Sequence, residues 1–362
     1  MKIGILTYHR SPNYGALWQA YALSTFLYDK GFETSVVDYW PEYHKNLYKR
    51  KLANPATLKG LSILSKIKYL CYSCIVQILH TLRLIRTADF VRNYLKTTSS
   101  RQFDVCVYGS DQIWRKQHKE GCESYNPVYF GNDFIDARLK ISFAASMGNI
   151  EIDTPEDITF IQESLSKFNA ISVREQNLKN VLSGYTTKPI DIVCDPVFLL
   201  SDSQWEKVLV KNHKPTGRYI FYYNLEEYSL ADNLVHILSK MSNLPIVEIR
   251  GYVKDINENA SRTQTASPIT FLSLLHDAEL VVTSAFHGVA LSLCFNKQFY
   301  YAAPDELADR AELLLKTFNI PDRRITDLSA INSKNIDYSK VNPLIEEYRT
   351  WSQKWLTDSI QG

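Results

Sequence analysis

The sequence predicts an α/β protein made of two successive units, each with buried parallel-type strands alternating with helices. Three observations predict it. The chain opens on a strand–helix–strand unit, a second such series starts from residue 188, and 362 residues suffice for two separate cores. Hydrophobic residues make up 45% of the chain and charged ones 22%, which excludes a disordered polypeptide.

Residues 2–8 (KIGILTY) form a short apolar run of the buried-strand type. The loop HRSPNYG leads into a helix over 16–30, with Leu17, Ala20, Leu23 and Leu27 on one face. Gly31 ends it, and 33–39 returns as a strand. The loop has no G-x-G-x-x-G, so the dinucleotide fingerprint is absent. Strands follow at 103–108, running into Gly109-Ser110-Asp111, at 140–146, ending near Gly148, and at 170–173, after which Arg174-Glu175 begin a helix. The helical pattern breaks between Gly184 and Cys194, which sets a first domain at 1–187 and a second at 188–335. The second series has strands at 218–223, 244–249, 278–283 and 298–301, and helices at 230–241, 269–277 and 289–295. The tail, 336–362, carries an amphipathic helix over 342–359 with Leu344, Ile345, Tyr348, Trp351 and Trp355.

The net charge is only +2, which argues against a nucleic-acid binder driven by bulk basicity. The balance is uneven, however. Residues 45–101 hold twelve basic residues and one acid, Asp89, so that segment carries +11 and the remainder −9. No nucleic-acid recognition module accompanies it, and nucleic acid is not expected as a partner. Its uncharged stretch 69–82 is 14 residues long, short of the roughly 20 that span a bilayer. The segment reads as a helix on an anionic membrane surface or a partner, or as a core-packed helix with solvated flanks.

The six cysteines form no dense framework, and Cys71-x-x-Cys74 lacks the second ligand pair of a zinc site, so no metal is expected. The N-terminal apolar run meets Tyr8, His9 and Arg10 too soon for a signal peptide, giving a cytoplasmic expectation.

Ligands of open α/β sheets bind beyond the carboxyl ends of strands. Gly109 to Asp111, Ser146 to Gly148 and Arg174 are therefore candidate site elements. In TSAFHGVALSL a buried strand stops, His287 follows, and Gly288 allows close approach where a helix begins. Unpaired backbone N–H groups there suit a phosphate or carboxylate. His287 either binds such an anion, moves a proton, or satisfies local backbone groups. Arg174 needs an anionic partner, either a ligand or a local acid such as Glu175. Asn13, Tyr14 and Asp111 also read as ordinary cap or turn residues, and Asp195-Pro196 as a turn.

Asn13-Tyr14-Gly15 with Gln19-Ala20-Tyr21-Ala22-Leu23, Gly109-Ser110-Asp111-Gln112-Ile113-Trp114, Phe143-Ala144-Ala145-Ser146-Met147-Gly148, Ser172-Val173-Arg174-Glu175, Cys194-Asp195-Pro196 and Thr283-Ser284-Ala285-Phe286-His287-Gly288 occur in that order. The series resembles the polysaccharide pyruvyl transferase family over residues 2–330. The resemblance implies two Rossmann-like domains in a GT-B-type arrangement, with the active site in the interdomain cleft, the acceptor on the N-terminal side and the donor on the C-terminal side. It implies phosphoenolpyruvate as donor, a co-substrate, so that no cofactor is expected. The implied acceptor is a sugar diol of a surface polysaccharide precursor, such as a polyprenyl-linked oligosaccharide, and the products are a cyclic pyruvate ketal and phosphate.

By the same resemblance Arg174 and His287 serve the donor; the chemistry of these residue types then suits Arg174 as a donor clamp and His287 as acid/base or leaving-phosphate partner, with Ser284 and Gly288 lining the anion pocket. Asn13, Tyr14, Gly15, Gly109, Ser110 and Asp111 would face the acceptor or the cleft, Asp111 as a base toward a sugar hydroxyl. One departure stands out: part of the family has an arginine two residues before the histidine, and this chain has Ala285. Anion binding then shifts to Arg174, loop amides or basic residues elsewhere. A polyprenyl carrier would set the protein on the inner face of the cytoplasmic membrane, with residues 45–101 as the docking surface. A nucleotide-sugar glycosyltransferase and a catalytically silent glycan-binding protein are alternative readings on the same architecture.

Overall fold

The computed structural model describes residues 1–48, 58–210, 217–225, 227–332 and 334–362. Two parallel sheets organise it. The first contains β1 (Lys2–Leu6), β2 (Glu33–Val37), β3 (Thr97–Thr98), β4 (Gln102–Tyr108), β5 (Asp136–Ala145), β6 (Ala170–Val173) and β7 (Ile190–Ile192), in the order β3-β2-β1-β4-β5-β6-β7. The second contains β8 (Ile220–Asn224), β9 (Ile246–Arg250), β10 (Arg262–Thr263), β11 (Leu280–Thr283) and β12 (Gln298–Tyr301), in the order β10-β9-β8-β11-β12. The strand order reverses between β1 and β4 in one sheet and between β8 and β11 in the other. Such reversals open ligand crevices at the strands' carboxyl ends.

The helices are α1 (Tyr14–Asp29), α2 (Glu42–Leu47), α3 (Ile63–Tyr94), α4 (Pro155–Ser166), α5 (Gln176–Leu182), α6 (Asp202–Glu206), α7 (Ser229–Ser242), α8 (Pro268–Asp277), α9 (Phe286–Cys294), α10 (Asp305–Thr317) and α11 (Tyr338–Gln361). Asn13 caps α1, its Oδ1 accepting from the Gly15 N–H at 2.9 Å. Gly31, with φ +86°, follows its last turn. α1 is buried well beyond its predicted face because it lies between the two domains. The Tyr14 hydroxyl donates to the Ala266 carbonyl (2.9 Å), and its ring stacks on Phe271 of α8 at 4.4 Å. Trp18 Nε1 donates to the Pro268 carbonyl (3.3 Å). One continuous apolar core therefore runs from Ile3 and Val105 through α1 to Phe221 and Val281.

α3 ties the domains together a second time. Buried Arg83 donates through Nη1 to the carbonyls of Arg250 (2.9 Å) and Gln264 (2.8 Å) and through Nη2 to that of Pro12 (2.7 Å). Its guanidinium also lies 4.6 Å from the Tyr14 ring. Arg86 donates to the Thr265 carbonyl and, at 2.9 Å, to its hydroxyl. These two cations of the basic segment are thereby spent on acceptors within the protein. Lys49, Arg50 and Lys51 of that segment lie outside the described residues.

The expected domain boundary at 187/188 is corrected: β7 pairs with β6, so the first sheet continues to Ile192. A three-residue strand with one apolar contact face leaves too little periodicity to be seen in sequence. α11 then returns to this domain, where Trp351 Nε1 donates to the Ile192 carbonyl (3.0 Å) and Trp355 Nε1 to Asp191 Oδ2 (2.8 Å). Helices without a predicted counterpart include the short α2 and α6, α4, opened by a Thr154–Asp157 capping box with Pro155 in its first turn, and α10, which follows Pro304.

Candidate functional site in the interdomain cleft

The two strand-order reversals face each other. Between them lies a cavity of about 480 Å³, lined by Tyr8, Asn13 and Asp111 from the first domain and Ser284, Phe286 and His287 from the second. α9 begins at Phe286 rather than at Val289, because Ala285 takes the extended N-cap conformation and its carbonyl accepts from the Gly288 N–H (3.0 Å). His287 thus sits in the first turn of a buried helix, on the cavity wall.

Beneath the wall is a buried ionic cluster centred on Asp195. Its Oδ1 caps the short turn Pro196–Leu199 by accepting from the Val197 N–H (3.1 Å). Its Oδ2 accepts from Arg174 Nη1 at 2.6 Å and lies 3.4 Å from His287 Nε2. Ser110 Oγ donates to the Ala144 carbonyl (2.8 Å) and approaches the same carboxylate oxygen at 3.4 Å. Arg174 Nε also donates to Glu175 Oε1 (3.2 Å), which accepts from Ser146 Oγ (2.8 Å). Burial alone would raise the Asp195 carboxyl, but His287 and Arg174 outweigh it and hold the group well below the carboxylate range. Burial acts against the Arg174 charge, and Glu175, Asp195 and Asp111 more than restore it.

Arg174 is 3% exposed, and its Nη2 has no hydrogen-bond acceptor among the described residues. It does not itself line the cavity. Phe286 does, and its ring lies 4.4 Å from the guanidinium. Arg310 of α10 also approaches that ring, at 5.9 Å, and lines the cavity directly. With its amide oxygen turned toward Arg310, Gln112 of the opposite domain accepts from both Nη1 (2.8 Å) and Nη2 (2.9 Å). Burial and the neighbouring Arg174 charge push the Arg310 pKa down. Arg310 supplies a cleft cation in a chain that has Ala285 where some relatives are expected to have arginine.

Of the other predicted site residues, Asn13, Asp111 and Ser284 line the cavity. Asp111 adopts a left-handed φ of +73° and its Oδ1 accepts from the Gln112 N–H (2.8 Å). Gly15 lies directly under the His287 imidazole. Tyr14, Gly109, Ser110 and Gly288 stand behind the cavity wall rather than on it. Tyr14 belongs to the interdomain core. Gly109 is packed against the Phe143 carbonyl, and Ser110 supports Asp195 from below. Gly288 is buried against Thr283, where a Cβ would come within 2.1 Å of Oγ1, and does not line the anion pocket. In each case the motif is needed for close packing beneath the wall rather than on it.

Sequence reading also missed the polar wall opposite the arginines. His44 and Tyr48, from the end of α2 and the residue after it, line the cavity, and His44 Nε2 lies 3.3 Å from the Tyr48 hydroxyl. That hydroxyl is 2.8 Å from Ser11 Oγ. Burial pushes His44 down to about 4 and Tyr48 up to about 12, so both are neutral at neutral pH. Among the described residues no group of three or more His, Cys, Asp or Glu is arranged to hold a metal ion.

Two Rossmann-like domains in a GT-B-type arrangement, with cations and a histidine at one wall of the cleft, define an α/β scaffold suited to an anionic ligand. The chain belongs to the polysaccharide pyruvyl transferase family, whose model matches residues 13–306, and is an enzyme of that family. No curated protein sequence matches it. Among solved structures it is similar to the MnaA protein of S. aureus in complex with UDP (12% identity, 98% of this chain and 91% of that one, TM-score 0.47). It is also similar to UDP-GlcNAc 2-epimerase from Neisseria meningitidis bound to UDP-GlcNAc (10%, 100% of both chains, 0.46) and to a glycosyltransferase from Rickettsia africae (11%, 99% and 97%, 0.43).

Proposed function

We propose that the enzyme transfers the pyruvyl group of phosphoenolpyruvate to two hydroxyls of a sugar in a surface polysaccharide precursor, forming a cyclic ketal and releasing phosphate. The observation that carries this reading is the Arg174–Asp195–His287 cluster beneath a cleft wall that also presents Arg310. The donor has a carboxylate and a phosphate, and the two guanidiniums near Phe286 match two anionic groups.

The chemistry needs a proton on the donor's methylene carbon, which becomes the methyl group and leaves C2 electrophilic. One sugar hydroxyl attacks C2, the C2–O bond to phosphate breaks with its electron pair leaving on oxygen, and the second hydroxyl closes the ketal. Of the two hydroxyl protons, one balances the proton delivered to carbon and one leaves with phosphate. His287, 3.4 Å from anionic Asp195, would carry that proton to the phosphate. Arg310 and Arg174 balance charge on the donor and the departing phosphate. Arg174 acts from behind Phe286, through the charge it carries and an Nη2 without an acceptor among the described residues. On the opposite wall, His44, Tyr48 and Asp111 offer neutral and anionic acceptors for sugar hydroxyls, His44 or Asp111 serving as the base.

Incubating the purified enzyme with phosphoenolpyruvate and a panel of synthetic or lipid-linked glycans tests this. Acceptor-dependent phosphate release that disappears in His287→Ala and Arg174→Ala is the expected result. Failure of phosphoenolpyruvate to bind or turn over with any acceptor, or release of nucleotide from a nucleotide sugar instead, overturns it.

A further inference from the structure

α3 is amphipathic in the wrong sense for a helix that only packs on its own protein. Its 32 residues place Val76, Arg83, Thr87, Phe90 and Val91 against the domains. On the opposite side, at helical spacing, Ile63, Ile67, Leu70, Cys74, Ile78 and Ile85 form a stripe about 33 Å long facing solvent, with Ile63 79% and Ile78 64% exposed. No residue from 61 to 75 is buried, so the first three turns project beyond the body of the protein. Lys66 and Lys68 flank the stripe, and the sequence contains no acid between Glu42 and Asp89. No helix among the described residues is long and apolar enough to cross a membrane.

We infer that the exposed face of α3 lies in the interfacial plane of an anionic lipid bilayer, its isoleucines and Leu70 in the acyl boundary and its lysines at the headgroups. Charge decides between this occupant and a second copy of the chain. Pairing two such faces would bring two acid-free basic segments together, whereas anionic lipid neutralises them. The same helix fixes where the cleft would stand. Arg83, about two turns beyond the projecting part, holds the Pro12 carbonyl immediately before the cavity-lining Asn13. The cleft would therefore open close to the membrane surface. That a lipid-linked acceptor is presented there rests on the proposed function; the lipid contact does not.

Flotation of the full-length enzyme with vesicles of phosphatidylcholine alone, or with one-third phosphatidylglycerol, tests the contact without reading activity. Recovery with anionic vesicles that falls at least tenfold in the Ile67→Glu/Leu70→Glu variant and in Lys66→Glu/Lys68→Glu, with turnover of a soluble acceptor unchanged, is expected. A polarity-sensitive fluorophore on the exposed Cys71 or Cys74, in a Cys122→Ser background, should shift to the blue with the same vesicles. Equal recovery with neutral vesicles, no recovery with either, or self-association in sedimentation velocity that the same variants abolish, overturns it. Flotation without turnover of phosphoenolpyruvate would refute the proposed reaction and leave the lipid contact standing.

Discussion

The imidazole of His287, from the second domain, rests on the α-carbon of Gly15, from the first. A methyl group at position 15 would fall 2.1 Å from Nδ1. Gly15 is the second residue of α1, and nothing in the conformation of that helix calls for glycine there. Its requirement comes from the other half of the molecule. Gly15→Ala is expected to displace His287 and lower turnover by about 10²-fold, since ångström-scale misplacement of a reacting group has that effect. The melting temperature should fall by no more than a few degrees, because alanine's better helix propensity (~1 kcal/mol) offsets part of the overpacking. Steady-state kinetics beside a thermal melt checks both.

Asp195 links Arg174 to His287, and its neutralisation should affect both stability and rate. Its carboxyl sits well below the ordinary 3.8 in the folded protein. A depressed carboxyl contributes stability that is present above the unfolded value and lost as pH falls. Wild-type stability should therefore drop below about pH 4, and Asp195→Asn should lack that part of the acid limb. At neutral pH the variant is expected to be less stable by about 3 kcal/mol, as it leaves a buried guanidinium short of an anion. Urea midpoints across pH 3–8 measure the effect.

Arg310 should act on donor binding more than on the chemical step. Arg310→Ala is expected to raise KM for phosphoenolpyruvate about tenfold or more while kcat changes less. Arg310→Lys should recover only part of it, since an ammonium cannot offer the paired N–H groups now directed at Gln112. An unchanged KM in Arg310→Ala would remove this residue from the donor site.

His44 gives the enzyme a second pH dependence. Burial lowers it from 6.5 to about 4, so it stays neutral where an unfolded chain would bind a proton. The stability this contributes is full above pH 6.5 and is lost as pH falls toward 4, by up to about 3 kcal/mol. His44→Phe should flatten the stability profile between those values. If His44 is the acceptor base, that variant should also lose turnover while retaining phosphoenolpyruvate binding.

Arg83 holds three carbonyls drawn from both domains. Arg83→Met keeps the stem but leaves those acceptors unpaired, and should destabilise the protein by about 3 kcal/mol. Small-angle scattering is expected to show a wider spread of interdomain arrangements, with donor affinity falling in parallel.

The strands that build the site were legible because a buried parallel strand is a continuous apolar run. Residues 170–173 and 298–301 coincide with β6 and β12, and Arg174 was visible directly after such a run and His287 in the loop that follows one. Asp195 was legible only as a turn residue, because the Asx-type cap it makes is local while its two cationic partners are distant in sequence. Arg310 and His44 sit on helices whose sequences carry no motif, and only their position around the cavity distinguishes them. The basic segment gave the opposite difficulty. Its charge was plain, but Arg83 and Arg86 turned out to be structural donors, leaving the lysines and isoleucines of the projecting turns as its exposed part.

By itself the sequence determined two α/β units, the strand ends that carry His287 and Arg174, and an uneven charge that gathers in one strongly basic segment. Periodicity and local charge are properties of neighbouring residues, and they survive in a linear string. Only the tertiary structure decided that Gly15 serves His287, that Asp195 joins two cations, that Arg310 takes a place on the cleft wall, and that one side of α3 faces inward while its apolar side faces out. Each of these depends on two surfaces meeting, and burial and electrostatics are set by that meeting rather than by the residue alone.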